Sequence, residues 1–387
     1  MEHVMETYSR LPITLVKGRG CRVQDEQGND YLDMVAGIAV CNLGHAHPQV
    51  VEALKKQAEE LFHCSNLYRI PQQEALARII SKNSFDSRVF FCNSGAEANE
   101  GAIKLVRRYC HDCSGRGPGI ITLAGSFHGR TLATLTATGQ DKVKKGFDPL
   151  PGGFVIAPYG DIDALSEAVD DSIGAVMLEP IQGEGGVRIP PEGYLTQVRE
   201  LCDRHGLLLV YDEVQTGMAR TGELFCYQHD GVVPDIMTLA KALGNGFPVG
   251  AVVARRDVAE AFDPGSHAST FGGNPLAMAA SLATLTVMLE QGIARRCRET
   301  GAYLTERLGE LARLHPGIRE IRSRGLMIGI QCDADLSSLA KDALKERILL
   351  NVIQGSVIRL VPPLIISREE CNEAVEKIHK ILKEKGV

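Results

Sequence analysis

From Phe85 onward, short apolar runs alternate with stretches whose apolar residues recur at helical spacing. The runs Val89 to Cys92, Ile120 to Leu123, Ala175 to Leu178, Leu207 to Tyr211, Ile236 to Thr238 and Val249 to Val253 are of strand length and nearly unbroken by polar residues. That is the pattern of strands buried on both faces. It predicts an α/β fold with a mostly parallel sheet covered by helices, whose ligands gather at the carboxyl ends of the strands. Ser94, Glu179, Asp212 and Lys241 each lie at or just past such an end and are expected to share one crevice. Upstream, Cys21 to Asp33 reads as a hairpin turning at Gly28-Asn29. A helix is expected after Pro48, with Val51, Leu54, Ala58 and Leu61 on one face. A long helix is expected after Gly273-Asn-Pro275, through Leu276, Ala280, Leu285 and Leu289. The chain thus divides into an N-terminal segment (1–57), a large α/β domain (58–285) and a smaller α+β domain (286–387), with the first packing against the last.

Composition narrows the class. A chain of 387 residues, 44% apolar and 23% charged, exceeds one simple core and matches neither disordered nor collagen-like chains. A formal net charge of −6 offers no basic face, so nucleic acid is not an expected partner. No apolar run reaches membrane-spanning length, and Met1 to Tyr8 lacks a basic start and an apolar stretch, so a cytoplasmic location is expected. Eleven cysteines, an odd number scattered through helices and strands, favour reduced thiols. Cys110-His-Asp-Cys113 is half of a zinc site without a second half at suitable spacing, so no metal is expected. His45-Ala-His47 reads as a polar turn before Pro48.

Candidate chemistry centres on Lys241, between the apolar run ending at Ala240 and a turn rich in Gly and Pro. A lysine in apolar surroundings loses solvation of its charged form, so its amine becomes free to attack a carbonyl. Read alone it is a snorkelling surface residue. Asp212, at the end of a buried run, suits a pyridinium nitrogen, although an aspartate there also serves as a cap or turn former. Ser94-Gly95-Ala96-Glu97 opens a helix whose freed amides suit a phosphate; the same residues make an ordinary capping box. Phe127 has the shape to stack on a ring and Arg130 the fork to bind a carboxylate, or they are core and surface residues respectively. The glycines around Glu184 form a tight loop that either aims this acid into a cavity or merely turns.

Together these segments resemble the class III aminotransferases, pyridoxal phosphate (PLP) enzymes that use amines distant from a carboxylate. The resemblance covers nearly the whole chain, from Gly37-Ile-Ala-Val-Cys-Asn-Leu-Gly44-His-Ala-His-Pro48 to Arg359-Leu-Val-Pro-Pro-Leu364. Its most specific parts are Asn93-Ser-Gly-Ala-Glu-Ala-Asn99, Ser126-Phe-His-Gly-Arg130, Glu179-Pro-Ile-Gln-Gly-Glu-Gly-Gly186, Asp212-Glu-Val-Gln-Thr-Gly-Met-Ala-Arg-Thr-Gly222, Ala240-Lys-Ala-Leu-Gly-Asn-Gly-Phe-Pro248 and Ser269-Thr-Phe-Gly-Gly-Asn-Pro275. It implies the PLP-dependent transferase fold (fold type I), with Lys241 as the Schiff-base lysine and Asp212 on the pyridinium nitrogen. It further implies Glu213 and Val214 beside the cofactor, Gln215 at the ring hydroxyl, Phe127 stacked on the ring, and Gly95 and Ala96 on the phosphate. Ser269 and Thr270 are implied to enter from a partner subunit, Thr270 to phosphate, making a homodimer with shared active sites. Arg130 and Arg359 are implied to hold substrate carboxylates, and Glu184 to gate Arg359.

The expected reaction moves the terminal amine of N-acetylornithine to 2-oxoglutarate. Ornithine, 4-aminobutyrate, succinylornithine and succinyl-diaminopimelate are rival donors, and a related mutase is a further alternative. A non-catalytic α/β ligand-binding protein needs neither Lys241 nor Asp212. A dinucleotide dehydrogenase fits less well, because Gly244-Asn-Gly246 lacks a third glycine at the right spacing. The chain departs from the family pattern at Arg69, where a tyrosine is expected, and at Cys41, where an asparagine is expected. Arg69 is either a rim residue or a second anchor for a more acidic donor.

Overall fold

The central sheet has seven strands: β1 (Ser87–Cys92), β2 (Gly119–Leu123), β3 (Phe154–Ala157), β4 (Ile173–Leu178), β5 (Leu208–Asp212), β6 (Ile236–Leu239) and β7 (Gly250–Arg255). Their order is β1-β7-β6-β5-β4-β2-β3. Only β7 runs against its neighbours β1 and β6; the other adjacent pairs are parallel. The computed structural model behind this description covers residues 3–387; Met1 and Glu2, the start of the expected N-terminal segment, lie outside the described residues.

The apolar runs form strands for the reason their pattern suggested, since β4 and β5 are buried along their whole length. β3 was not anticipated. It lies at the edge of the sheet with Val155 and Ile156 each 40% exposed, so it lacks the continuous burial that marks the others.

Six of the helices frame the site and the core: α1 (Pro48–Glu60), α2 (Gly95–Tyr109), α3 (Tyr194–His205), α4 (Pro275–Glu290), α5 (Ile293–Leu314) and α6 (Arg368–Lys385). The inward face of α1 is offset by about one position from the expected one. Val50 and Gln57 are its buried residues, and Leu61 sits exposed at the C-cap. In α4, Asn274 caps the first turn by accepting from the Ala277 amide at 2.9 Å, with Pro275 at the first helical position. Gly292, at φ +59°, separates α4 from α5.

The C-terminal segment carries an antiparallel sheet of Ile318–Arg324, Met327–Cys332, Val357–Leu360 and Asn351–Ile353. The N-terminal strands Leu15–Arg19, Arg22–Asp25 and Asp30–Asp33 form the expected hairpin plus one strand, and Ile348–Leu349 adds to them in parallel. The two ends of the chain therefore share a sheet. Arg220 ties them to the large unit: fully buried, it donates to the Leu326 and Pro362 carbonyls at 3.0 and 2.7 Å and to Asn42 Oδ1 at 2.5 Å. Its burial pushes the guanidinium pKa down to about 10.

The candidate active site

A crevice of about 390 Å³ opens at the carboxyl ends of β1, β4, β5 and β6, and Ser94, Glu179, Asp212 and Lys241 all line it. Antiparallel β7 starts at the same edge, since Gly250 pairs with Cys92, so Pro248 and Val249 close that side. Gly95, Ala96, Phe127, Arg130, Glu184, Val214 and Gln215 complete the expected residues that the fold brings together.

Asp212 is held from behind. Its Oδ2 accepts from Asn99 Nδ2 at 2.7 Å and from His128 Nδ1 at 2.8 Å, and Oδ1 accepts from the Val214 amide at 3.0 Å. Asn99 is itself fixed by the Thr238 hydroxyl at 2.7 Å. With its Nδ1 proton on Asp212, His128 leaves a buried Nε2 without a partner among the described residues. Asn99 and His128 stand within the motifs quoted above but were not singled out. The available signal was a polar residue on the apolar face of α2, beside Ala98 and Ala102.

Lys241 follows β6 in a short 3-10 turn at φ +45°, a left-handed conformation rare for a residue with a side chain. Asn245, at φ +46° in the same turn, accepts from the Leu43 amide at 2.8 Å and donates to the Gly44 carbonyl at 3.2 Å. The N-terminal segment thereby holds the lysine turn in place. Loss of water around the ammonium lowers the Lys241 pKa; Glu184 opposes this shift and Arg359 adds to it.

Glu184 and Arg359 form the second centre. Arg359, 1% exposed, donates to Glu184 Oε1 at 2.5 Å and, through Nε and a terminal nitrogen, to Asn351 Oδ1 at 3.0 and 2.7 Å. Asn351 faces Arg359 across the strand pair, which fixes the fork. Burial raises the Glu184 pKa, but the charge and hydrogen bond of Arg359 outweigh it and hold the carboxyl below its ordinary value. Glu179 has no cation in contact among the described residues. Burial and the neighbouring Asp212 raise its pKa, against the Phe127 and Gly183 amides that it accepts at 2.9 and 3.1 Å. A Cβ on Gly183 would sit 2.4 Å from Gln215 Oε1, so a larger residue here would displace the Gln215 amide.

Four expected site residues do not line this crevice; one of them, Arg359, is bonded to the lining residue Glu184. Glu213 follows Asp212 and projects away, where it accepts from the Cys226 and Tyr227 amides at 2.6 and 2.9 Å. Burial pushes its pKa up to about 7. Ser269 and Thr270 lie outside the crevice lining, with Ser269 Oγ accepting from Asn93 Nδ2 at 3.1 Å. Arg130 is exposed and stacks its guanidinium over Phe127 at 5.5 Å from the ring centroid. As for the Cys110 and Cys113 pair, the first is buried and the second exposed, and no metal-binding cluster occurs among the described residues. His45, from the expected polar turn, pairs with Asp33 at 2.7 Å; that bond, with Cys41, raises the imidazole pKa to about 10.

The groups in the crevice match what PLP presents. Ser94 Oγ caps the Glu97 amide at 3.2 Å and the Ala98 amide bonds Ser94 O at 3.0 Å, which leaves the Gly95 and Ala96 amides for a phosphate. A Cβ on Gly95 would lie 2.8 Å from Val214, so the close packing at this helix start needs glycine. Asp212 Oδ1 accepts only the Val214 amide and can take a further donor, as a protonated ring nitrogen provides.

The family model of class-III aminotransferases matches residues 4–382. The acetylornithine aminotransferase of Caldanaerobacter subterraneus is 54% identical over 385 residues, covering 99% of this chain and 98% of that protein. Among solved structures, the ornithine aminotransferase of Toxoplasma gondii is 36% identical with a TM-score of 0.95, covering 100% of this chain and 94% of that one. The acetylornithine aminotransferase of Elizabethkingia anophelis is also 36% identical, with a TM-score of 0.90 and coverage of 99% and 97%. The chain belongs to the class-III aminotransferases, a family of PLP-dependent enzymes with the fold type I architecture.

Proposed function

We propose that this chain transfers the terminal amine of N2-acetylornithine to 2-oxoglutarate, giving N-acetylglutamate 5-semialdehyde and glutamate, as a cytoplasmic step of arginine biosynthesis. The observation that carries this reading is the buried Arg359 paired with Glu184 beside Lys241. Such a pair lets one site serve two donors of opposite layout. Arg359 is neutralised when a long amine occupies the site, and is released to bind the carboxylate next to the amine of glutamate. The acetylornithine aminotransferase named above supports the choice of donor.

In this reading the Gly95 and Ala96 amides would hold the phosphate of PLP, and Phe127 and Gln215, which line the same crevice, would hold its ring. PLP, when bound, supplies an electron sink for the carbon that carries the migrating amine. Asp212, fixed by Asn99 and His128, keeps the ring nitrogen protonated. Lys241 Nζ, with its lowered pKa, would hold the cofactor and, as a free amine, would take and return the proton at the donor carbon. Arg130 binds the carboxylate of the acylated donor.

We further infer a homodimer in which Ser269 and Thr270 reach the partner's crevice, Thr270 to the phosphate. The Ser269 loop supports this, because it accepts from Asn66 Nδ2 at 3.1 Å on a face that leaves Phe62, Leu67, Tyr68 and Phe271 each more than half exposed. The three-part division at 57 and 285 is likewise proposed. Borohydride reduction of the PLP-loaded protein followed by peptide mass mapping tests the lysine. The stable adduct is expected on Lys241, with Lys241→Ala taking up PLP without an adduct and turning over far more slowly. An adduct on another lysine, or full activity in Lys241→Ala, would overturn the assignment.

A further inference from the structure

A second cavity, of about 350 Å³, lies on the other side of the loop that runs from Glu179 to Glu184. Pro180 and Ile181 of that loop form one wall, and Ile189 with Leu195 at the start of α3 forms another. Ile181 and Leu195 are buried and give the floor an apolar patch within a lining that exposes more polar than apolar surface. Arg324, the last residue of the strand Ile318–Arg324, enters from the C-terminal unit. It is half-buried, and its guanidinium makes no hydrogen bond or ion pair with any described residue. Exposed arginines such as Arg69 and Arg130 also lack acceptors, but among arginines drawn in from solvent this one differs, since Arg220, Arg322 and Arg359 each have several.

A lone planar fork above an apolar patch matches one ligand chemistry. A single carboxylate takes both arms of a guanidinium, and an apolar body covers the isoleucines and prolines. The exposed rim acids Glu192 and Asp230 repel a multiply charged phosphate. The volume falls within the range of small-ligand clefts. His229 lines the same cavity, and burial followed by the charge of Arg324 lowers its pKa, with Glu223 and Asp230 opposing.

We propose that this cavity is a second binding site, for a small monocarboxylate with a branched apolar body, whose carboxylate is held by Arg324. The site is separate from the crevice but shares a wall with it, since the loop that supplies Pro180 and Ile181 to the cavity supplies Glu179 and Glu184 to the crevice.

Calorimetric titration of the PLP-loaded enzyme with 4-methylpentanoate, after equilibration with saturating glutamate and 2-oxoglutarate so that the crevice is filled in both cofactor forms, tests the proposal. One saturable site per chain is expected. Arg324→Gln should weaken binding at least about tenfold, because a charge-assisted fork is lost. The neutral analogue 4-methylpentanamide should bind the wild-type protein more weakly by a similar factor. Ile189→Trp, which fills the cavity while leaving Arg324 in place, should remove binding. Equal affinity in the wild type and both variants, or no saturable binding to the wild type, would overturn the proposal. So would binding that vanishes with glutamate and 2-oxoglutarate, because the acid would then belong to the crevice.

Discussion

Replacing Glu184 with alanine should split the two half-reactions of this enzyme. Among the described residues the Glu184 carboxylate is the sole anion bonded to the Arg359 guanidinium, which is 1% exposed. A hydrogen bond between charged groups is worth about 1.5–3 kcal/mol, or roughly 10- to 100-fold in an equilibrium. Glutamate must break that bond to reach Arg359, so its half-reaction should be retained or accelerated, up to roughly tenfold, when the acid is removed. The long-amine donor loses the same contribution, because Arg359 then stays cationic and unpaired beside the donor's ammonium. Its kcat/KM should fall by roughly 10- to 100-fold. Arg359 keeps Asn351, and the loop keeps the Gln354 to Glu184 backbone bond at 2.9 Å, so the variant should fold. The assay is single-turnover decay of the yellow absorbance of the PLP-loaded enzyme with each donor separately. Glu184→Gln, which preserves a neutral acceptor, should fall between wild type and alanine. Equal losses with both donors would refute the gate and leave Glu184 a structural part of its loop.

Asn99→Ala removes one of two side-chain donors that fix Asp212 Oδ2 and strands the Thr238 hydroxyl. It should slow single turnover by roughly tenfold or more with either donor, from a loss of about 1–3 kcal/mol; rates equal to wild type would exclude its positioning role. Glu213 titrates at about 7 in the fold, above its ordinary carboxylate value. The protein thus binds that proton more tightly folded than unfolded, and the associated stability is present in acid and lost as pH rises through 7. Glu213→Gln should therefore flatten the fall in urea-unfolding free energy of the cofactor-free protein between pH 5 and pH 8, by up to about 3 kcal/mol. An unchanged slope would mean that the carboxyl is ionised throughout.

Much of the crevice was legible in the chain because parallel strands place their ends together. Asp212 and Lys241 needed only the apolar runs before them to be assigned to one edge. Glu213 was expected beside the cofactor because its neighbour carried the chemistry and the segment matched a motif, and its carboxylate bonds elsewhere. Strand alternation argued otherwise, since adjacent residues on a strand point to opposite faces, and Glu213 does turn toward Cys226 and Tyr227. Asn99 and His128 were missed for a different reason. Their partner is 113 and 84 residues away, and only the fold shows that three polar groups meet in a buried place. Arg220 was similarly hidden: its acceptors belong to the two ends of the chain, which nothing local announces. The edge strand β3 escaped because its half-exposed residues carry no continuous apolar signature.

The central claim is the identity of the donor, and it is tested most directly by mixing the yellow PLP-loaded enzyme separately with N-acetylornithine, N-succinylornithine, ornithine, 4-aminobutyrate and succinyl-diaminopimelate. The rate of yellow-absorbance loss in a single turnover is compared for each. N-acetylornithine should react fastest, with 2-oxoglutarate restoring the colour. Faster reaction with a succinylated donor, giving exposed Arg69 the second carboxylate, or with ornithine or 4-aminobutyrate, would contradict it.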